Sequence, residues 1–167
     1  VRQTVLFSAT MPPPIAKIAK RYLKDPIELR TKRAATTVEA IRQCYVPVSG
    51  ELKKFEALCR LLEFEEYDGM IVFARTRIST VEIAERLEAR GYRAQALNGD
   101  MNQPLRQRTV ERFKKADFDI LVCTDVAARG LDVPRISHVV NFDIPFDTEA
   151  YVHRIGRTGR AGREGKA

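Results

Sequence analysis

At 167 residues, 44% apolar and 31% charged, the chain suits one ordinary domain with a real core. No apolar run approaches the ~20 residues that span a bilayer, and the first residues do not read as a signal peptide, so no membrane partner is expected. Twenty-nine lysines and arginines against 22 acidic residues leave a net charge of +7, which favours a polyanionic partner.

In chain order, Thr4-Val5-Leu6-Phe7 is a short apolar run ending at Ser8-Ala9-Thr10. Three prolines, Pro12 to Pro14, precede a helical stretch from about Ile15 to Leu23, where Ile15, Ile18, Ala19, Tyr22 and Leu23 share a face. Pro26 ends it, Ile27-Glu28-Leu29 reads as a short strand, and Arg30–Glu39 as a linker. Strands are then expected at Ile41–Val46, Met70–Phe73, Ala94–Leu97, Ile120–Cys123 and His138–Phe142. Three of the gaps between them carry helical spacing: Leu52 to Leu62; Ile78 to Leu87, with Ser79 and Glu82 spaced as a capping box; and Leu105 to Phe113, with Asn102 as the cap. Such alternation predicts right-handed βαβ units, a mostly parallel sheet and a three-layer α/β/α domain. Cys44, Cys59 and Cys123 make no paired metal motif and no complete disulfide set, and read as reduced packing residues of a cytoplasmic protein.

Parallel sheets bind ligands beyond the carboxyl ends of their strands. The polar clusters Ala74-Arg75-Thr76, Asn98-Gly99-Asp100, Thr124-Asp125 and Asp143 fall at that rim. Any one of them reads equally as a turn or a helix cap; four on one edge point to a ligand. In Thr124–Asp132, a strand-end threonine suits phosphate, and Arg129-Gly130 suits close approach to a nucleic-acid backbone. Asp132 suits either ribose hydroxyls or a structural role, as a helix cap or an arginine's partner.

Tyr151–Gly162 carries Arg154, Arg157 and Arg160 at three-residue spacing, with Gly156, Gly159 and Gly162 between them. That glycine density, at roughly 1 kcal/mol each against alanine, stops a helix after Ile155. A glycine-rich arginine loop follows, whose planar guanidinium forks match phosphate oxygens. Its plainer reading is a solvated basic loop or a glycine-arginine RNA tail.

Ser8-Ala9-Thr10, the 124–132 stretch and the 151–162 stretch, in that order, resemble the DEAD-box family of ATP-dependent RNA helicases. The resemblance covers nearly the whole chain, as the end of a first RecA-like domain with its linker (residues 1–35) and a second RecA-like domain (residues 36–167). Leu97–Gln103 and Asp143-Ile144-Pro145 look like the bacterial cold-shock (DeaD) branch. The resemblance implies that Ser8 and Thr10 couple ATP hydrolysis to duplex separation, and that His153 links the ATP and RNA sites. It implies that Arg157 and Arg160 are arginine fingers, with Asp132 and Gly130 beside them at the nucleotide. It implies RNA-backbone contacts from Arg75, Thr76, Gly99, Gln103, Arg106, Thr124 and Arg129, on a surface opened by Phe73, and a structural ion pair for Arg154. The implied cofactors are ATP and Mg2+, the metal held mainly by the first RecA-like domain. The implied partners are RNA, bound without sequence preference, and that first domain.

The sequence contains no Gly-x-x-x-x-Gly-Lys-Ser/Thr phosphate loop and no Asp-Glu-Ala-Asp. These 167 residues are therefore expected neither to hydrolyse ATP nor to unwind RNA unaided. The sheet is expected to stop before its last strand, leaving an open edge. That edge, or residues 1–35, is expected to meet the rest of the domain or a neighbouring copy. A passive RNA-binding module and a DNA helicase or translocase of the same superfamily are the competing functions.

Overall fold

The computed structural model describes residues 3–8, 11–29, 40–160 and 162–167. The chain divides into two units, Val1–Arg33 and Ala34–Ala167. In the first, α1 spans Pro13–Tyr22. It starts two residues earlier than expected because Pro13 and Pro14 occupy its first turn, where a missing N–H costs nothing and a fixed φ already suits a helix. α1 buries none of its residues, and Ile27–Leu29 does not form the expected strand. Ala9, Thr10, the Arg30–Glu39 linker and Ala161 lie outside the described residues.

The second unit is a six-stranded, all-parallel sheet. Its strands are β1 (Ile41–Arg42), β2 (Met70–Phe73), β3 (Ala94–Leu97), β4 (Ile120–Cys123), β5 (His138–Asn141) and β6 (Gly165–Lys166), ordered β1-β6-β5-β2-β4-β3. The helices are α2 (Glu51–Phe64), α3 (Arg77–Glu88), α4 (Gln103–Lys114), α5 (Asp125–Ala128) and α6 (Thr148–Ile155). β2 and β4 are buried at every position, as central strands covered on both faces must be. Met70 and Val72 join Phe55, Leu58, Leu62, Ile83 and Leu87 in one core. Ile71 and Phe73 join Phe113, Phe118, Leu121 and Leu131 in the other. Each fully buried large side chain contributes roughly 1.5–3 kcal/mol of transfer free energy. The three-layer α/β class is as the sequence predicts.

The sheet runs one strand further than expected. Gly165 and Lys166 form β6 between β5 and β1, so the edge strands are β1 and β3. The Ala167 N–H donates to the Arg42 carbonyl, and the Cys44 N–H to that of Ala167. The ladder of β1 nevertheless covers two residues rather than the six predicted. Gly165 has to be glycine: a Cβ there would lie 2.5 Å from Thr158 Oγ1 and 2.7 Å from the Gly159 nitrogen. β6 thus lies directly against the arginine loop.

The helix caps also shift. Asn102 caps α4 as predicted, accepting from the Leu105 N–H. In α3 the cap is Thr76, not Ser79; Thr76 Oγ1 accepts from the Ser79 N–H and shares a hydrogen bond with the Ser79 hydroxyl. Cys59 and Cys123 are buried, but Cys44 is exposed, correcting the reading of all three as packing residues. Burial pushes the Cys123 thiol far above its ordinary value, which leaves it inert.

Candidate functional site

Because every strand runs the same way, their carboxyl ends share one rim. α6 begins there with Asp147, whose Oδ1 accepts from the Ala150 N–H at 2.6 Å. Gly156 ends the helix. Thr158, fully buried, then donates its hydroxyl to the Ile136 carbonyl at 2.8 Å and anchors the loop to the fold.

The three arginines divide sharply. Arg154 is 4% exposed and forms a two-pronged pair with Asp125, Nε to Oδ1 at 2.6 Å and Nη2 to Oδ2 at 2.7 Å. Its Nη1 donates to Asn141 Oδ1 and the Asp143 carbonyl, and its guanidinium lies 5.0 Å from the Phe73 ring centroid. It is the structural ion pair that the resemblance implies. Phe73 itself is buried beneath it, so Phe73 supports the rim and does not form its surface.

Arg157 and Arg160 remain at the rim. Arg157 is half-buried and donates Nη1 to the Leu131 carbonyl at 2.9 Å and Nε to the His153 carbonyl at 3.2 Å. Burial, and then the neighbouring Arg160 charge, push its guanidinium below its ordinary value, with Asp132 opposing. Arg160 donates Nε to the Gly156 carbonyl and pairs through Nη1 with Asp132 Oδ1 at 2.6 Å. Of the two roles open to Asp132 in the sequence, partner to an arginine is thus realised here. Gly130, two residues before it, has φ +71°, a left-handed conformation that glycine adopts at little cost. The His153 side chain is exposed.

The other candidates of the second unit lie on the same rim. Arg75, Thr76 and Gly99 are exposed at the ends of β2 and β3. The Thr76 hydroxyl is engaged in capping α3. Gln103 opens α4, and Arg106, one turn on, donates Nη2 to the Arg129 carbonyl at 3.3 Å. Thr124 begins α5 without a side-chain cap bond. The segment from Arg129 to Asp132 consequently touches Arg106 at one end and both loop arginines at the other. Ser8 is exposed in the first unit; Thr10 lies outside the described residues.

One constellation escaped sequence reasoning. Asp143 accepts from Lys54 Nζ on α2 at 2.8 Å through Oδ1, and from the Arg75 N–H at 2.9 Å through Oδ2. Burial pushes the Asp143 carboxyl up, but these hydrogen bonds outweigh it and hold the group below its usual value. Lys54 shows only as one lysine on a helix, and its partner is 89 residues away.

Comparison with known proteins agrees with this fold. A family profile for the helicase conserved C-terminal domain matches residues 53–162. The ATP-dependent RNA helicase DeaD of Buchnera aphidicola subsp. Baizongia pistaciae is 57% identical over 165 residues, 99% of this chain and 27% of that protein. The Escherichia coli K12 protein of the same name is 59% identical over 155 residues, 93% of this chain and 24% of that one. The chain thus spans about a quarter of the curated relatives it matches. Among solved structures, S. cerevisiae Dbp5 bound to RNA and ADP BeF3 has a TM-score of 0.84 at 33% identity, covering 96% of this chain and 43% of that one. The E. coli DEAD-box protein SrmB bound to regulator of ribonuclease activity A has 0.69 at 40%, covering 76% and 72%. The chain belongs to the helicase C-terminal domain family, as a C-terminal RecA-like domain of the DEAD-box type.

Proposed function

We propose that this chain is the second RecA-like half of an ATP-dependent RNA helicase. It completes a nucleotide pocket built mostly by a first RecA-like domain, and it binds the RNA backbone across its own rim. The observation that carries the reading is the Arg129–Asp132 segment, which touches Arg106 of the candidate RNA surface and Arg157 and Arg160 of the candidate ATP surface.

In this reading Arg157 and Arg160 are arginine fingers. Phosphoryl transfer asks mainly for positioning and charge neutralisation, and a finger is worth ~10³–10⁵ in rate. Two guanidiniums side by side with one carboxylate form an electrostatically unsatisfied pair. An incoming polyphosphate would take Asp132's place on Arg160 and relieve the repulsion that Arg157 feels. Asp132, released, would turn to the ribose hydroxyls, with Gly130 keeping the backbone close. Arg75, Thr76, Gly99, Gln103, Arg106, Thr124 and Arg129 would hold RNA phosphates and 2′-hydroxyls. His153, with Ser8 and Thr10 of residues 1–35, would couple hydrolysis to strand separation. In this reading Mg2+ is held mainly by the first RecA-like domain, with the phosphate loop. The 167 residues alone are accordingly inactive.

The test uses the full-length protein. Arg157→Ala and Arg160→Ala should each lower RNA-stimulated hydrolysis by at least ~10³, while RNA affinity changes a few-fold at most. Equal losses in hydrolysis and affinity would favour a passive RNA-binding module. Stimulation by DNA equal to that by RNA would favour the translocase reading.

A further inference from the structure

Phe146 lies on the loop between β5 and α6, at the carboxyl-end rim, and is 91% exposed. Isolated exposed apolar residues are ordinary, but this ring is not isolated. The Arg75 guanidinium lies 4.9 Å from its centroid, and Ile144, two residues earlier, is 71% exposed. The ring contributes nothing to either core.

The two loops that bring ring and guanidinium together are clamped from below. Asp143, which opens the Phe146 loop, holds the Arg75 N–H through one carboxylate oxygen and Lys54 through the other. The Lys54 ammonium is itself 5.2 Å from the Phe142 ring centroid. The Asp143 carbonyl accepts from the buried Arg154. An aromatic face and a planar cation are thus presented to solvent on anchored backbone, so little ordering remains to be done when a ligand arrives.

We propose that Phe146 and Arg75 form a stacking site for an unpaired nucleobase of single-stranded RNA. The inference rests on the reading of Arg75 as an RNA contact and goes beyond it, because that reading involves only phosphates and 2′-hydroxyls. A base lies on the exposed face of Phe146, while Arg75 takes the adjoining phosphate or covers the base's edge. Every base has such a face, so the site tolerates any sequence. A base stacked within a duplex does not offer its face. The site therefore binds separated strands in preference to paired ones and favours the product of unwinding.

The experiment uses full-length protein, a non-hydrolysable ATP analogue, and two labelled probes: a short single-stranded oligouridine RNA and an abasic ribose-phosphate strand of equal length. Phe146→Ala and Phe146→Leu should weaken oligouridine binding roughly ten-fold, within the range for one base–aromatic stack. Phe146→Tyr should bind as wild type does. All four proteins should bind the abasic strand alike, which also shows that the variants are folded. Oligouridine binding by Phe146→Ala equal to wild type would overturn the inference and leave the proposed function standing. So would equal losses on both probes. Failure of the wild-type protein to bind either strand would overturn both.

Discussion

Arg154 provides the sharpest test of how this rim is held. Its guanidinium is almost fully buried, whereas the Asp125 side chain that pairs with it is 46% exposed. The two partners are therefore not equivalent on removal. Asp125→Ala strands a buried cation, for which a loss of 3–5 kcal/mol is typical. Two acceptors remain, Asn141 Oδ1 and the Asp143 carbonyl, which puts the expectation at the lower end, about 3 kcal/mol. Arg154→Met removes the charge, leaves an apolar chain of similar length against Phe73, and returns a half-exposed carboxylate to water. Its cost is mainly the two deserted acceptors, about 2 kcal/mol together. The double variant should then resemble Arg154→Met alone, so the two costs fail to add by about 3 kcal/mol. Urea unfolding of the four proteins, fitted with a common slope, reads these differences directly. A cost for Asp125→Ala no larger than for Arg154→Met, or a double variant near the sum of about 5 kcal/mol, would refute the account of a buried cation held by one carboxylate.

Two glycines should fail for different reasons. Gly165→Ala drives a Cβ into Thr158 and the Gly159 backbone and should cost about 2–3 kcal/mol in thermal unfolding. Gly130→Ala meets nothing within 4 Å and suffers only its φ of +71°, about 1 kcal/mol. Stability should also fall with pH. Burial holds the folded pKa of His138 below the ordinary 6.5, so below that value the unfolded chain takes up a proton that the folded one resists. The urea midpoint should decline from pH 7 towards pH 5, and His138→Asn should flatten that slope; an unchanged slope would remove His138 from the account. Lys54→Met should weaken oligouridine binding through the Arg75 loop, and Lys54→Arg should restore much of it.

Much of this molecule can be read along the chain. β2, β3 and β4 coincide with their apolar runs, and α4 begins at its predicted cap. Propensity and periodicity act over a few residues, so they leave marks in a few residues. Where local signals competed, neighbours decided. Ser79 and Glu82 have the right spacing for a box, but Thr76 lies where the backbone leaves β2 and so caps the helix. Ile27–Leu29 reads as a strand along the chain, but among the described residues it forms none.

The sequence by itself determined the α/β class, the positions of β2 to β5 and of helices α2 to α4, and a candidate set that includes the loop carrying Arg157 and Arg160. Only the tertiary structure decided which groups meet: Arg154 with Asp125 across 29 residues, Arg160 with Asp132 across 28, and Asp143 with the Arg75 N–H and Lys54 across 68 and 89. The reason is strand order. β5 lies beside β2, and β2 beside β4, an arrangement set by burying both faces of one sheet under connected helices. Short-range pattern does not encode it, yet each of these long-range contacts depends on it.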